Sequence, residues 1–188
     1  MKRLLRTFAL PLVVASTGSL TLMPAAAHAQ GLMAEMHTDV GTVQKKMIDL
    51  ARAIPESAYG WRPAPGVRTL GEVFKHVASD NYFIPIAMGT PAPPASGISG
   101  TDMKTVGAYE ARPLTKDQVV AELEASFNHL HGAMRTTTDA NLTQTIRFFG
   151  QDWTRQKAMI LTVTHLHEHL GQAIAYARSN NVTPPWSK

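Results

Sequence analysis

The sequence of 188 residues predicts an all-α fold, a four-helix bundle, and three observations carry that prediction. Four stretches place apolar residues three and four apart, the spacing that lines one face of a helix. Two of them open on capping boxes, Thr69-Leu70-Gly71-Glu72 and Thr115-Lys116-Asp117-Gln118. In such a box a threonine and the Glu or Gln three residues on satisfy each other's backbone donors. Strand signals are weak, no internal repeat is present, and the connection between the second and third helices is long.

The start of the chain reads as an address. Lys2, Arg3 and Arg6 precede a mostly apolar run from Phe8 to Met23, and Ala27-His28-Ala29 offers a small-x-small cleavage site. This is the pattern of a secretory signal peptide over residues 1–29, leaving 30–188 as a single domain. Pro11, Gly18 and Pro24 interrupt the run, which falls short of the roughly 20 residues a membrane helix needs. The expectation is an exported, periplasmic protein, a monomer or homodimer with no membrane contact after cleavage. There is no cysteine. Disulfides, a thiol nucleophile and thiolate ligands are therefore excluded, and a metal would need nitrogen and oxygen donors. The net charge of +4 includes Lys2, Arg3 and Arg6, so the rest is near neutral. Without a basic run or interleaved aromatics, nucleic-acid binding is not expected; the expected partner is a small-molecule substrate.

The first predicted helix spans Leu32 to Ile54, with Leu32, Met36, Val40, Val43, Met47, Leu50 and Ile54 on one stripe. Pro55 ends it. Gly60, Pro63, Pro65 and Gly66 make the following link turn-rich, with Tyr59 and Trp61 expected to cover the end of the core. The second helix carries Leu70, Val73, Phe74, Val77, Tyr82, Phe83 and Ile84. From Met88 to Pro113 helix breakers dominate, with helical character returning near Met103 to Tyr109. A connection this long is either functional, covering one end of the bundle, or a plain overhand crossing. The third helix carries Val119, Leu123, Phe127, Leu130 and Met134 and is predicted to run to about Thr138. Residues 139–153 form a connector, partly extended over Thr143 to Gly150, with Phe148 and Phe149 expected to plug the core. Asp152 or Thr154 caps the last helix, which carries Met159, Val163, Leu166, Leu170, Ile174 and Ala177 and ends at Asn180-Asn181.

That last helix contains His165, His167, Glu168 and His169. Residues four apart on a helix have Cβ atoms about 5–6 Å apart, so His165 and His169 are neighbours. His167 lies roughly 200° round the axis from each and points away. An i, i+4 histidine pair is half of a metal site. His76 sits at the same kind of edge on the second helix, and facing helices of a bundle can converge such side chains. Its competing reading is a satisfied core histidine. The set His76, His165 and His169 would be an open site, with three protein ligands and room for water or substrate. Asp80, Glu168, Gln172 and Glu72 are candidates to orient ligands or nucleophile. His37, His129 and His131 read as surface or boundary residues. His167-Glu168-His169 does not extend to the zinc-protease motif, because the fourth residue after His167 is Gly171.

Several segments together resemble the DinB superfamily. They are Ile54-Pro55-Glu56, the run Trp61-Arg62-Pro63-Ala64-Pro65-Gly66-Val67-Arg68-Thr69-Leu70, and Glu72 with His76. They continue with His165-x-x-x-His169-x-Gly171-Gln172, Tyr176-x-Arg178 and Pro184-Pro185. The resemblance runs from about Met33 to the end. It implies an up-down-down-up bundle in which His76, His165 and His169 hold a divalent ion: zinc or nickel first, with manganese and iron as further candidates. It also implies either a metal-dependent hydrolase or transferase or a non-catalytic metal- or ligand-binding, stress-related protein.

Overall fold

The computed structural model describes residues 31–187; the predicted signal peptide lies outside them. Among the described residues the fold is mostly helical, with five α-helices and one hairpin. Helix α1 spans Leu32–Ala53, α2 Leu70–Ala87, α3 Lys104–Glu110, α4 Lys116–Met134 and α5 Arg155–Ser179. Strands β1 (Thr145–Phe148) and β2 (Gln151–Thr154) lie between α4 and α5. Helices α1 and α2 each pack against both α4 and α5. Phe74, Phe127, Leu50, Leu70, Leu123, Met159 and Leu166, drawn from the four long helices, are fully buried between them. Among the described residues, no helix is long and apolar enough to cross a membrane.

Helix ends follow the local chemistry. Ile54, held extended ahead of Pro55, stops α1. Both capping boxes form: Thr69 Oγ1 accepts from Glu72 N at 3.2 Å, and Glu72 Oε2 accepts from Thr69 N at 2.7 Å. Thr115 and Gln118 repeat the arrangement at α4. Thr154 caps α5, and Asn181 beyond its end takes a left-handed φ of 58°. The link after α1 is fastened by Tyr59, whose buried hydroxyl donates to Ala51 O at 2.8 Å. Gly71 lies against it: a Cβ there would stand 3.1 Å from the Tyr59 ring and 3.2 Å from its carbonyl oxygen. Trp61 packs edge-on against Tyr176 of α5, ring centroids 5.3 Å apart.

Four expectations need correction. The fold is not purely α, because the connector forms the β1–β2 hairpin. Its turn residues, Phe149 at φ 48° and Gly150 at φ 72°, are both left-handed, as a two-residue hairpin turn of matching twist requires. Phe148 is buried in the core, but Phe149 is 56% exposed: it sits in the turn and lies over the Phe148 ring, centroids 4.1 Å apart, covering the core rather than filling it. Helix α4 ends at Met134, short of Thr138, where three successive β-branched threonines lower helix propensity. Thr138 caps the next short turn instead. Leu32 is 42% exposed, and Met33 begins the buried stripe in its place; one residue of phase turns a helical side chain by about 100°.

A buried polar contact sets the register of α2 against α4: Asn81 Nδ2 donates to Ser126 Oγ at 3.1 Å. The Thr69–Glu72 box sets where α2 begins. Thr69→Ala removes one half of it and should destabilise the fold by about 1 kcal/mol, read as a lower urea midpoint with unchanged denaturant slope.

Candidate metal centre

The histidine at the centre of α2 and the pair on α5 meet. His165 Nε2 lies 3.2 Å from His76 Nε2 and 3.0 Å from His169 Nε2. All three donor atoms fall within 4.8 Å of one another. Imidazole nitrogens about 2.0–2.1 Å from a shared ion would stand about 3.0–3.4 Å apart in the usual geometries, so these separations fit one divalent cation. His169 is buried and the other two are half-buried.

The outward-facing nitrogens have their own partners. His76 Nδ1 contacts Glu110 Oε1 at 2.7 Å. A carboxylate only accepts, so Nδ1 carries the proton and the Nε2 lone pair faces inward. His169 Nδ1 donates to Gln172 Oε1 at 2.8 Å, and Gln172 Nε2 in turn donates to Tyr176 Oη at 3.0 Å, which aims the amide oxygen at the ring. Two lone pairs are thereby directed at one point with His165 between them. Such an arrangement is eased by a cation there.

Glu110 belongs to α3, inside the long connection, and the sequence reading did not include it. Tyr109 beside it is buried and donates its hydroxyl to Glu122 Oε2 at 2.6 Å. Lys75 Nζ donates to Arg112 O at 2.8 Å. These contacts fasten α3 to α4 and α2. Ser79 Oγ, fully buried, lies 2.8 Å from the His76 carbonyl oxygen and 3.1 Å from Glu110 Oε1, so its one proton serves two acceptors, and Arg68 Nη2 donates to Glu110 Oε2 at 3.2 Å. Burial works to raise the Glu110 pKa. The His76 hydrogen bond and charge, with Arg68, outweigh it and hold the carboxyl at about 2. Its one trace in the sequence is the short helical period through Val106 and Tyr109 inside a proline-rich connection, which marks a helix but not the role of the glutamate at its end.

The remaining candidates divide. Asp80, one turn after His76, brings Oδ2 to 3.0 Å from His165 Nε2 and 3.6 Å from His76 Nε2. It is the carboxylate on the inward side of the rings. Gln172 holds His169. Glu168 is exposed and reaches His169 only through its charge. Glu72 is engaged in the α2 capping box and pairs with Arg62, so it does not orient His76. His167 points away, to Asp39 of α1 at 2.8 Å. On α4, His131 bonds Gln44 and stacks on His37, while His129 packs against Tyr82. A polar cleft of about 700 Å³ opens beside His169, walled by Arg62, Gly66, Val67, Arg68, Glu72, Glu168 and Gln172.

Burial pushes the His169 imidazole down to about 4. His165 and His76 add to the shift, while the Gln172 bond and Glu168 oppose it. An unfolded histidine protonates near 6.5, so between about 6.5 and 4 the unfolded chain binds the extra proton and stability falls with pH. Glu110 extends the loss as pH falls from about 4.5 to 2. Metal-free protein should therefore lose thermal stability progressively below about pH 6.5, with His169→Gln flattening the upper part of the decline. Glu110→Gln should weaken metal affinity by about 10–100-fold, measured by chelator competition, with the helical circular dichroism unchanged.

A family model for the DinB superfamily matches residues 40–173. No curated protein matches the sequence. Among solved structures, a DinB-like protein from Bacillus cereus is 18% identical, with a TM-score of 0.67 over 83% of this chain and 97% of that one. A DinB-like protein from Bacillus subtilis is 15% identical, with a TM-score of 0.60 over 79% and 93%. A mycothiol-dependent maleylpyruvate isomerase is 14% identical, with a TM-score of 0.58 over 74% of this chain and 59% of that chain. At these identities the likeness is one of fold. The family match covers most of the chain and includes all three converging histidines: the chain belongs to the DinB superfamily.

Proposed function

We propose that the protein is a metal-dependent enzyme of hydrolase or transferase type, acting on a small molecule at the point where His76, His165 and His169 converge. The observation that carries this reading is the inward aim of the imidazole nitrogens beside an open polar cleft. A bound divalent ion would supply Lewis acidity and lower the pKa of a water or thiol ligand. The imidazole donor set suits several such ions, zinc and nickel first.

The chain's own groups supply the rest. Glu110 and Gln172 hold two rings in the tautomer that leaves Nε2 free to bind. Asp80 Oδ2, on the inward side, is placed to accept the proton of an attacking O–H or S–H group. Water as nucleophile gives hydrolysis, and a thiol gives group transfer. The three imidazoles and Asp80 stand on α2 and α5, while Arg62, Gly66, Val67 and Arg68 of the cleft wall come from the link before α2. The same reading includes an up-down-down-up course of the long helices, removal of residues 1–29, a periplasmic location, and a monomer or homodimer without nucleic-acid partners.

The test begins with elemental analysis of untagged protein from its native compartment. One ion per chain is expected, and none in His76→Ala. Metal-loaded protein is then assayed on ester, amide and thiol-conjugate substrates. Asp80→Asn should retain the ion and lose about 100-fold or more in kcat. One ion per chain with no turnover on the panel would leave a metal-binding protein and remove the enzymatic reading.

A further inference from the structure

The cleft beside His169 contains two arginines, Arg62 and Arg68, and two glutamates, Glu72 and Glu168. Its side-chain charges balance. Their engagement does not. Glu72 Oε2 is held at 2.7 Å by the Thr69 backbone N–H, and Arg62 Nη2 reaches that same oxygen only at 3.4 Å. Arg68 touches a single oxygen, Glu110 Oε2, at 3.2 and 3.4 Å; the other oxygen of Glu110 serves His76 and Ser79. Each guanidinium has five N–H donors in a flat fork. Both are therefore used by one long contact or one shared oxygen, and both side chains are 42% exposed on the cleft wall. Glu72 is committed to helix capping and Glu110, behind the wall, to ring orientation; the exposed Glu168 is the one remaining carboxylate of the cleft, set against two guanidiniums that each keep donors beyond a single carboxylate contact.

We infer that this cleft binds a small molecule carrying a carboxylate, which Arg62 and Arg68 clamp while the rest of the molecule reaches toward His169. A planar carboxylate matches the arginine fork with two parallel hydrogen bonds. A single negative charge also suits arginines that already share part of their charge with Glu72 and Glu110; a dianion would crowd those two carboxylates. The cleft volume, about 700 Å³, lies in the range of small-ligand sites. The inference deepens the reading above, and it rests on that reading for the direction in which the ligand's reacting end points. Arg68 has a second consequence. It bridges the clamp to Glu110 and through it to His76, so a bound carboxylate and the His76 ring share one hydrogen-bonded chain.

Calorimetry on the full protein tests this without any assay of turnover. The probes are butyrate, a monocarboxylate, and its neutral analogue butyramide, titrated into zinc-loaded and metal-free protein. Butyrate is expected to bind at least about tenfold more tightly than butyramide, the scale of one charge-assisted hydrogen bond. Arg62→Gln, whose ion pair is with Glu72 and not with Glu110, should weaken butyrate about tenfold while leaving the ion count at one per chain. Adding Arg68→Gln should weaken it further. Equal binding of the two probes, or butyrate affinity unchanged in the double variant, would overturn the clamp. Butyrate binding that survives metal removal but is lost in the double variant supports the clamp even if the metal centre itself fails its test. The two readings therefore fail separately.

Discussion

The hydrogen bond from His76 Nδ1 to Glu110 Oε1 ties together parts of the chain that have no other reason to agree. One end is in the middle of a bundle helix, and the other is in a short helix within a long, proline-rich connection. The bond decides which ring nitrogen of His76 carries the proton, and hence that Nε2 turns inward as a lone pair. A charge-assisted bond of this kind contributes about 1.5–3 kcal/mol net, and ordering a connection costs about 1–2 kcal/mol for each residue fixed. The bond alone cannot hold the connection. The buried Tyr109 with its hydroxyl on Glu122, the Lys75 contact to the Arg112 carbonyl and the Ser79 bond share that cost. Each of them packs or fastens α3, and each thereby steadies Glu110. The length of the connection is explained by what it delivers: a carboxylate to the outer face of a ring that α2 presents from within the bundle.

Register is the second constraint. His165 and His169 are neighbours by helical geometry alone, but His76 meets them only if α2 is correctly placed along and around its own axis. A phase error of one residue would swing it by about 100°. Three features oppose such an error. The Thr69–Glu72 box marks the first residue of the helix. Gly71 allows the start of α2 to lie against the backbone of Tyr59, itself fastened to α1. Asn81 then finds its one buried partner on α4, Ser126, less than two turns beyond His76. Close-packed interiors tolerate little displacement, so the apolar stripe carries that placement across to α5.

What could be read in the sequence follows from how local the causes are. Helix existence, both capping boxes and the His165–His169 pair depend on residues within four positions of each other, and all were legible; the cap of α5 was legible as either Asp152 or Thr154, and Thr154 takes it. The convergence with His76 was legible as a candidate, because it needed only matching edges on two helices, and the DinB resemblance raised it above the core-histidine alternative. The hairpin was seen only as an extended tendency. Its deciding feature is a turn with Phe149 in a left-handed conformation, which phenylalanine does not advertise. Glu110 was not legible, since its role depends on how a 26-residue connection (Met88 to Pro113) folds back on α2. Glu72 was misread for a related reason: the same carboxylate fits helix capping and imidazole orientation, and the closer backbone donor claimed it. Glu168 shows the converse, a charged residue next to a ligand candidate in sequence that helical geometry turns to the cleft and the solvent.

The two carboxylates next to His76 illustrate how one residue type can take separate tasks in one site. Glu110 stands on the Nδ1 side of the ring, is held by His76, Ser79 and Arg68, and stays ionised down to about pH 2. A group so strongly committed is a poor proton acceptor at neutral pH, because taking up a proton would break the contacts that stabilise its charge. It also faces away from the converging nitrogens. Asp80 stands on the Nε2 side, where its Oδ2 lies 3.0 Å from His165 and 3.6 Å from His76, next to the place a reacting atom would occupy. Divergent environments around paired carboxylates are a general way of separating structural from proton-transferring roles. On this geometry Glu110 sets the direction of the ring, and Asp80 is the group with a surface turned to the chemistry. If Asp80 instead served only to balance the charge of the three histidines, its replacement by asparagine would alter metal affinity more than turnover. The ratio of those two effects therefore separates a proton acceptor from a counter-charge.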